Sequence, residues 1–187
     1  MNVVAERAPG RGAVEIDEVT LRRAQRGDPD AWRAMVVAYQ RPVFALIGRM
    51  LGTARASVVE DVAQETFLAV FRSLRSFSPL GPARLSTWVL TIATRRALDE
   101  LRRPAVEATE VEVAAPASLE VSARRIGLAR AIEGALAALP HDFRAVFLLR
   151  EVHGLDYAEI ARALAIDLGT VKSRLARGRA QLRAALE

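Results

Sequence analysis

Hydrophobic residues in the first half of the chain recur every three or four positions, and the strict alternation typical of a half-buried strand is absent. This spacing predicts three helices, at about residues 30–50, 57–75 and 86–103. Pro42 should interrupt or kink the first helix. Ser57, with Glu60 three residues later, predicts a capping box for the second, and Ser86 predicts a cap for the third. A loop rich in proline and glycine should connect the last two helices at 77–84.

The second half of the chain has the same helical period, broken by turn residues. It predicts four helices, at about residues 122–138, 142–152, 156–164 and 168–185. Pro140, Gly154 and the corner at 165–167 mark the breaks. Asp156, followed three residues later by Glu159, is typical of a helix cap.

The segment between the two halves has no helical periodicity. Residues 104–121 contain proline, alanine, valine, threonine, serine and four glutamates, and no basic residue. This composition predicts an extended or disordered acidic linker. We also expect a mobile N-terminal arm over 1–16. The chain should therefore be all-α, with two small helical domains at 17–103 and 122–187.

Composition narrows the classes of function. The 187 residues carry a net charge of +5 and are 51% hydrophobic, which favours a folded protein with a polyanionic partner. The absence of cysteine excludes disulfides, thiolate metal sites and direct thiol redox sensing. The longest uncharged run, Leu85 to Thr94, is far shorter than the roughly 18 residues of a membrane span. The N-terminus lacks the apolar core of a signal peptide, so we expect a cytoplasmic protein without membrane insertion.

The helix pair at 156–164 and 168–185 is typical of a DNA-binding helix-turn-helix. Ile160, Ala161, Leu164, Ile166, Val171 and Leu175 should form its buried side. On the second helix, Lys172, Ser173 and Ala176 should share an exposed face, with Arg174, Arg177 and Arg179 beside them. Lysine and serine can contact base edges in the major groove, and arginines can neutralise phosphates. The alternative is that the basic helix is merely a solvated surface.

The helix at 57–75 carries an acidic patch on an otherwise basic domain. Val62, Phe67, Val70 and Phe71 should pack inward, while Asp61, Gln64 and Glu65 lie together outside. Such a patch could bind the arginines of a partner protein. The alternative is a face that only improves solubility.

The helix at 86–103 combines an aromatic residue with a cluster of arginines. Trp88 lies among aliphatic residues, and the helix ends in Arg95, Arg96, Arg102 and Arg103. This combination suits single-stranded nucleic acid, in which bases stack and phosphates are neutralised. Simple core packing is the alternative for Trp88.

The sequence gives little support for an enzymatic function. His141 and His153 are isolated, and no phosphate-binding glycine loop or nucleophile motif is present. We expect no catalytic activity, no cofactor and no metal site.

Taken together, these motifs resemble bacterial sigma factors of the sigma-70 family, extracytoplasmic-function (ECF) subgroup. The motifs are Asp61-Val-Ala-Gln64-Glu65-Thr-Phe67, Ser86-Thr-Trp88, Leu98-Asp99-Glu-Leu101-Arg102-Arg103, Leu139-Pro140, Val146-Phe147-Leu148-Leu149-Arg150-Glu151 and Gly169-Thr170-Val171-Lys172-Ser173-Arg174. Their order and spacing match over most of the chain.

The resemblance implies that the first domain binds core RNA polymerase and opens the promoter at its minus-ten element. Asp61, Gln64 and Glu65 would face the clamp helices of the largest subunit. The loop at 77–84 would capture a base flipped from the non-template strand. The residues implied near the minus-ten element are Trp88, Arg95 and Arg96. Family members often carry asparagine at the position of Arg95, so the minus-ten preference of this chain should differ.

The second domain would contact the polymerase flap and read the minus-thirty-five element. Lys172 and Ser173 would contact bases, and Arg174 and Arg177 would contact phosphates. Thr170 and Ala176 complete the implied DNA-binding set. Many relatives are held inactive by an anti-sigma factor, so we expect one here. A free-standing helix-turn-helix regulator, which needs no clamp contact, is the alternative.

Overall fold

The computed structural model describes residues 15–52, 55–103 and 123–187, and all regular structure in these ranges is helical. The helices are α1 (Glu18–Gln25), α2 (Pro29–Leu51), α3 (Ala56–Ser73), α4 (Leu85–Arg102), α5 (Ala123–Ala138), α6 (His141–Phe147), α7 (Tyr157–Leu164) and α8 (Leu168–Leu186). A 3₁₀ turn (Leu74–Ser76) extends α3, and a π-helical turn (Leu148–Val152) extends α6. The predicted all-α class is confirmed. No helix in the described ranges is long and apolar enough to cross a membrane.

Helix α2 is the centre of the first half and contacts α1, α3 and α4. The side chain of Asp28 caps its N-terminus by accepting from the backbone N–H groups of Asp30 and Ala31 at 3.0 and 3.1 Å. The helix runs from Pro29 to Leu51 without the interruption predicted at Pro42. Pro42 removes one backbone donor, but Val43, Leu46 and Ile47 after it are fully buried, and this packing holds the helix together.

The two serine caps predicted for α3 and α4 are wrong. Ser57 lies inside α3, whose N-cap is Arg55 without a side-chain cap bond. Arg55 instead pairs with Glu100 of α4 at 3.2 Å, so a tertiary ion pair fixes this helix start. Ser86 lies in the first turn of α4, and its buried hydroxyl donates to the carboxylate of Glu15. Each helix begins one residue before its serine, which removes the serine from the capping position.

The helix-turn-helix has the predicted local chemistry. Asp156 Oδ1 accepts from the Glu159 N–H at 2.7 Å, and Glu159 Oε2 accepts from the Asp156 N–H at 2.8 Å. This reciprocal capping box starts α7. Ala165 then adopts a left-handed conformation (φ 54°), which reverses the chain at a position that favours glycine. Ile160, Val171 and Leu175 are buried as predicted, and Ala161, Leu164 and Ile166 are partly buried against them.

The two halves pack against each other. α4 contacts α6 and α7, and α2 contacts α5 and α6. Arg144 of α6 is almost fully buried. Its guanidinium donates to the Met50 carbonyl of α2, to the Ala137 carbonyl in the last turn of α5 and, at 3.0 Å, to the Leu139 carbonyl just after α5. Burial lowers the pKa of this arginine. One buried cation therefore joins the end of α2 to the second half.

The predicted N-terminal arm and linker fall almost wholly outside the described residues, which omit 1–14 and 104–122. Their predicted mobility, and with it the predicted division into domains, stays a prediction.

Candidate nucleic-acid interface

Helix α8 presents an exposed basic stripe. Lys172, Ser173, Ala176 and Arg177 are all exposed and lie at helical spacing on one side of the helix. The opposite side is formed by Val171, Leu175, Gly178 and Leu182, which are buried. Within the described residues, neither Lys172 nor Arg177 has an ion-pair partner. The stripe is therefore a rigid cationic surface available to a polyanion.

The N-terminus of α8 uses Thr170 for its own structure. Asp167 accepts from the Thr170 backbone N–H at 2.7 Å and from the Thr170 hydroxyl at 2.5 Å. These bonds, the hydroxyl first, lower the pKa of Asp167. The Ser173 hydroxyl donates to the Thr170 carbonyl at 3.1 Å. Thr170, a predicted DNA-binding residue, thus has its hydroxyl committed to the helix cap.

The arginines beside the stripe divide into two kinds. Arg174 is half-buried and pairs with Asp142 of α6 at 2.8 Å, whereas Arg177 is exposed. Arg179 pairs with Glu151, which raises the pKa of its guanidinium. Arg174 and Arg179 therefore hold α8 against α6. The sequence pattern grouped all three arginines together, because nothing in it shows that Asp142 and Glu151 lie within reach.

Helix α4 carries the predicted residues Trp88, Arg95 and Arg96. Trp88 is partly buried, and its ring packs on Phe77 with centroids 5.1 Å apart. Arg96 is exposed. Arg95 Nε donates to the Ala163 carbonyl of α7 at 2.9 Å, so this arginine is bound to the other half of the chain.

The loop between α3 and α4 leads directly into the start of α4. The Gly81 N–H donates to the Ser78 carbonyl at 3.0 Å and closes a tight turn. Leu80 at the tip is 97% exposed. Such a loop places an apolar side chain in solvent next to the start of α4.

Helix α3 holds the acidic patch, which we define as Asp61, Gln64 and Glu65. All three side chains are exposed, and the inward side of the helix is formed by Val62, Thr66 and Val70. Among the described residues, neither carboxylate of the patch has an ion-pair partner. Its charge is therefore available for basic groups on a partner protein.

One prediction about α3 is wrong. Phe71 was expected to pack inward, but 51% of its surface is exposed, and its ring makes an edge contact with Trp32. Leu68, one turn before it, is 53% exposed. The acidic patch is thus followed by two exposed apolar side chains that the sequence analysis missed. This exposed apolar area lies on the same helix as the acidic patch and is available for burial by a partner protein.

The described residues include no group of three or more histidine, cysteine, aspartate or glutamate side chains positioned to hold a metal ion.

Two family models match the chain. The model for sigma-70 region 2 matches residues 35–105, which include α3 and α4. The model for sigma-70, region 4 matches residues 129–182, which include α7 and the basic stripe of α8. Both candidate surfaces therefore lie within matched regions.

Similar proteins support the same family. The chain is 34% identical to the ECF RNA polymerase sigma-E factor of Escherichia coli (strain K12), over 87% of this chain and 90% of that protein. It is 33% identical to the RNA polymerase sigma-H factor of Pseudomonas aeruginosa, over 92% and 95% of the two chains. The solved structure of CnrH in complex with the cytosolic domain of CnrY has a TM-score of 0.65 and 27% identity, covering 91% of this chain and 96% of CnrH. The chain belongs to the ECF RNA polymerase sigma factors of the sigma-70 family.

Proposed function

We propose that this sigma factor binds core RNA polymerase through the acidic patch of α3 and contacts promoter DNA through α4 and α8. The observation that carries this proposal is the presence of two exposed surfaces of opposite charge, whose charged side chains have no ion-pair partner among the described residues. The acidic patch suits a basic protein surface, and the basic stripe suits DNA.

The polymerase contact is assigned to Asp61, Gln64 and Glu65, with the largest-subunit clamp helices as partner. Leu68 and Phe71 extend this surface by apolar area that a partner would bury. A charged patch beside exposed apolar residues combines orientation with affinity, because charges set the register and apolar burial stabilises the complex.

The DNA contacts are assigned to α4 with the loop before it, and to α8. Trp88, Arg95, Arg96 and the loop at 77–84 act at the minus-ten element, where the loop holds a base flipped out of the stack. Extrusion of a base costs a few kcal/mol, which contacts in the loop must offset. Lys172 and Ser173 read bases of the minus-thirty-five element, and Arg177 neutralises phosphate.

The structure of α8 refines two of these roles. Arg174 reaches phosphate only if its ion pair with Asp142 opens, and Thr170 reaches a base only if its hydroxyl leaves Asp167. We therefore rank Arg177 above Arg174 as a phosphate contact, and Lys172 above Thr170 as a base contact. Ala176 offers a small apolar contact on the same face, which suits a thymine methyl group.

We further propose the division into domains at 17–103 and 122–187, joined by the linker at 104–121, with the mobile arm at 1–16. On DNA, the tether sets the effective concentration of one half once the other is bound. Two modest contacts then act together as one tight contact.

An anti-sigma factor is a further partner that we propose. CnrH, with 27% identity over nearly the whole chain, was solved in complex with CnrY. We propose that the chain acts in the cytoplasm, where core polymerase works, and that it has no catalytic site or cofactor of its own. A free-standing regulator is not favoured, because the match to sigma-70 region 2 includes the acidic patch.

The function is tested by adding the purified chain to core RNA polymerase and measuring promoter-specific initiation. We expect initiation only when both are present. Tight promoter binding by the chain alone, without initiation when polymerase is added, would contradict the proposal.

The acidic patch is tested by the charge reversals Asp61→Lys and Glu65→Lys. Both residues are exposed, so the fold should remain intact while binding to core polymerase is lost. Asp30→Lys, at an exposed acidic residue of α2, is the matched control and should bind normally. Unchanged binding by both patch variants would assign the clamp contact to another surface.

A further inference from the structure

Helix α1 carries no residue of the acidic patch, of α4 or of the basic stripe. It packs against α2 and against the 3₁₀ turn Leu74–Ser76 that extends α3. The loop at 77–84 starts directly after this turn. Gln25, the last residue of α1, is half-buried at this junction. Helix α1 therefore contacts the chain at the point where the loop begins.

The Gln25 side chain bridges two backbone carbonyls at the start of the loop. Its Nε2 donates to the Phe77 carbonyl at 2.8 Å and to the Leu74 carbonyl at 3.0 Å. A carboxamide nitrogen carries two hydrogens, so one side chain can satisfy both acceptors. Carbonyls at the end of a helix lack partners within it and are open to such a donor. Because one nitrogen joins both carbonyls, Gln25 fixes the direction in which the loop leaves the 3₁₀ turn.

The segment that leads into α1 also contacts the other end of the loop. The buried hydroxyl of Ser86, in the first turn of α4, donates to the carboxylate of Glu15. Burial and, to a smaller extent, the negative charge of Glu15 raise the pKa of Tyr39 in α2. The Glu15 carboxylate therefore lies between α2 and α4. Residues 15–25 thus contact the chain on both sides of the loop.

Between these contacts the loop has a compact base and an open tip. The rings of Phe77 and Trp88 pack across the base of the loop with their centroids 5.1 Å apart. The turn above the base is tight, because a Cβ atom at Gly81 would lie 3.0 Å from the Ser78 carbonyl oxygen. Leu80, in contrast, is almost fully exposed at the tip. The base of the loop is therefore held by the first half of the chain, while its tip can contact a ligand.

We propose that Gln25 is a positioning residue, which holds the loop at 77–84 in the conformation that captures the flipped base, with Glu15 fixing the other end. This proposal rests on the proposed role of the loop at the minus-ten element. Gln25 acts on the loop backbone and makes no contact with DNA in this assignment. A loop that is ordered in advance loses less conformational entropy on binding, so its contacts offset more of the cost of extruding a base.

Variants at position 25 separate the donors of Gln25 from its volume. Gln25→Met has a similar size but no donor, and Gln25→Lys restores donors at the end of a long side chain. Gln40→Met, at an exposed glutamine of α2, is the matched control. All three variants should bind core RNA polymerase as the wild type does, because both positions lie outside the acidic patch.

The first readout is recognition of the flipped base by the holoenzyme. Affinity is measured on fork-junction promoter DNA, either intact or with an abasic site at each minus-ten position of the non-template strand in turn. The wild type should lose at least tenfold in affinity at one position, which identifies the captured base. Gln25→Met should reduce this loss to less than threefold, whereas Gln25→Lys and Gln40→Met should keep it. A general structural defect would weaken intact and abasic DNA alike and leave their ratio unchanged.

The second readout is the order of the loop in the free chain. Because the chain has no cysteine, nitroxide labels can be attached through Leu80→Cys at the tip and Asp99→Cys in α4, both exposed positions. Double electron–electron resonance should give a narrow distribution of distances between the two labels. Gln25→Met should at least double the width of this distribution, whereas Gln25→Lys and Gln40→Met should leave it narrow.

The outcomes separate this proposal from the proposed function. A wild-type holoenzyme that is insensitive to abasic sites at every minus-ten position would refute the proposed role of the loop itself. If the wild type is sensitive and Gln25→Met is equally sensitive, the positioning role of Gln25 is wrong while the proposed function stands. An unchanged distance distribution in Gln25→Met would also overturn the positioning role.

Discussion

Replacement of Arg144 by methionine should destabilise the whole fold rather than its binding surfaces. The guanidinium is almost fully buried and donates to three carbonyls, those of Met50, Ala137 and Leu139. Hydrogen bonds that involve a charged group contribute about 1.5–3 kcal/mol each. Relief of the cost of burying the cation offsets part of this loss. We expect a net decrease of about 3–5 kcal/mol in the free energy of unfolding, similar to the loss of one partner of a buried ion pair.

The assay is thermal and urea denaturation followed by circular dichroism. For a chain of this length, each kcal/mol shifts the Tm by roughly 2–4 °C, so Arg144→Met should lower it by roughly 6–20 °C. Arg144→Lys keeps the charge but loses the planar set of donors, so its Tm should lie between those of the wild type and Arg144→Met. The control is Arg33→Met, because the ion pair of Arg33 with Asp30 is exposed and should contribute at most about 1 kcal/mol. A loss below about 1 kcal/mol for Arg144→Met would refute this assignment of the buried arginine.

Three further predictions concern DNA recognition, pH dependence and the turn. Lys172→Ala should cost about 1–3 kcal/mol of holoenzyme binding free energy, and only at one base pair of the promoter. Arg177→Ala should weaken holoenzyme binding to all sequences and reduce the salt dependence of the binding constant by about 1 in slope. Equal losses on every sequence for both variants would reject base contact by Lys172. Burial lowers the pKa of His153 to about 4, below the value near 6.5 of an unfolded histidine, so its contribution to stability is complete above pH 6.5 and is lost as the pH falls toward 4. The free energy of unfolding should fall by about 2 kcal/mol between pH 6.5 and pH 5. His153→Gln should flatten this part of the stability profile. An unchanged profile would show that His153 is not the group responsible. Ala165→Gly should raise the free energy of unfolding by about 0.5–1 kcal/mol, because φ is 54° and glycine adopts this left-handed conformation without strain. The control Ala180→Gly, within α8, should lower it by about 1 kcal/mol. A loss of stability at both sites would show that the turn is unstrained.

The helices could be predicted because their signals are local. The capping box of Asp156 and Glu159 and the apolar side formed by Ile160, Val171 and Leu175 depend only on residues within a few turns of each other. The serine caps failed for the same reason. Ser57 and Ser86 satisfy the local pattern, but Arg55 beside Ser57 pairs with Glu100, and the Ser86 hydroxyl itself donates to Glu15. These tertiary contacts are not visible in the local pattern.

The candidate surfaces were predicted only in part. The exposure of Asp61, Gln64 and Glu65 follows from helical period, and so does that of Lys172 and Arg177. The half-exposed ring of Phe71 does not, since an apolar residue next to a buried position is expected to pack inward. Whether it packs depends on the tertiary neighbours of α3, which a pattern along one helix cannot show.

The sequence alone therefore determined the helices from α2 to α8, most of their buried sides and the family of this sigma factor, but not the short helix α1. Tertiary structure decided which of its many arginines are free. Arg144 binds a carbonyl 94 positions away, Arg95 binds one 68 positions away, and Arg174 pairs with a carboxylate on another helix. These arginines share one chemistry and one local pattern. The partner of each is fixed by the packing of α2, α4, α6 and α7, because a hydrogen bond requires atoms to lie within about 3 Å whatever their distance along the chain.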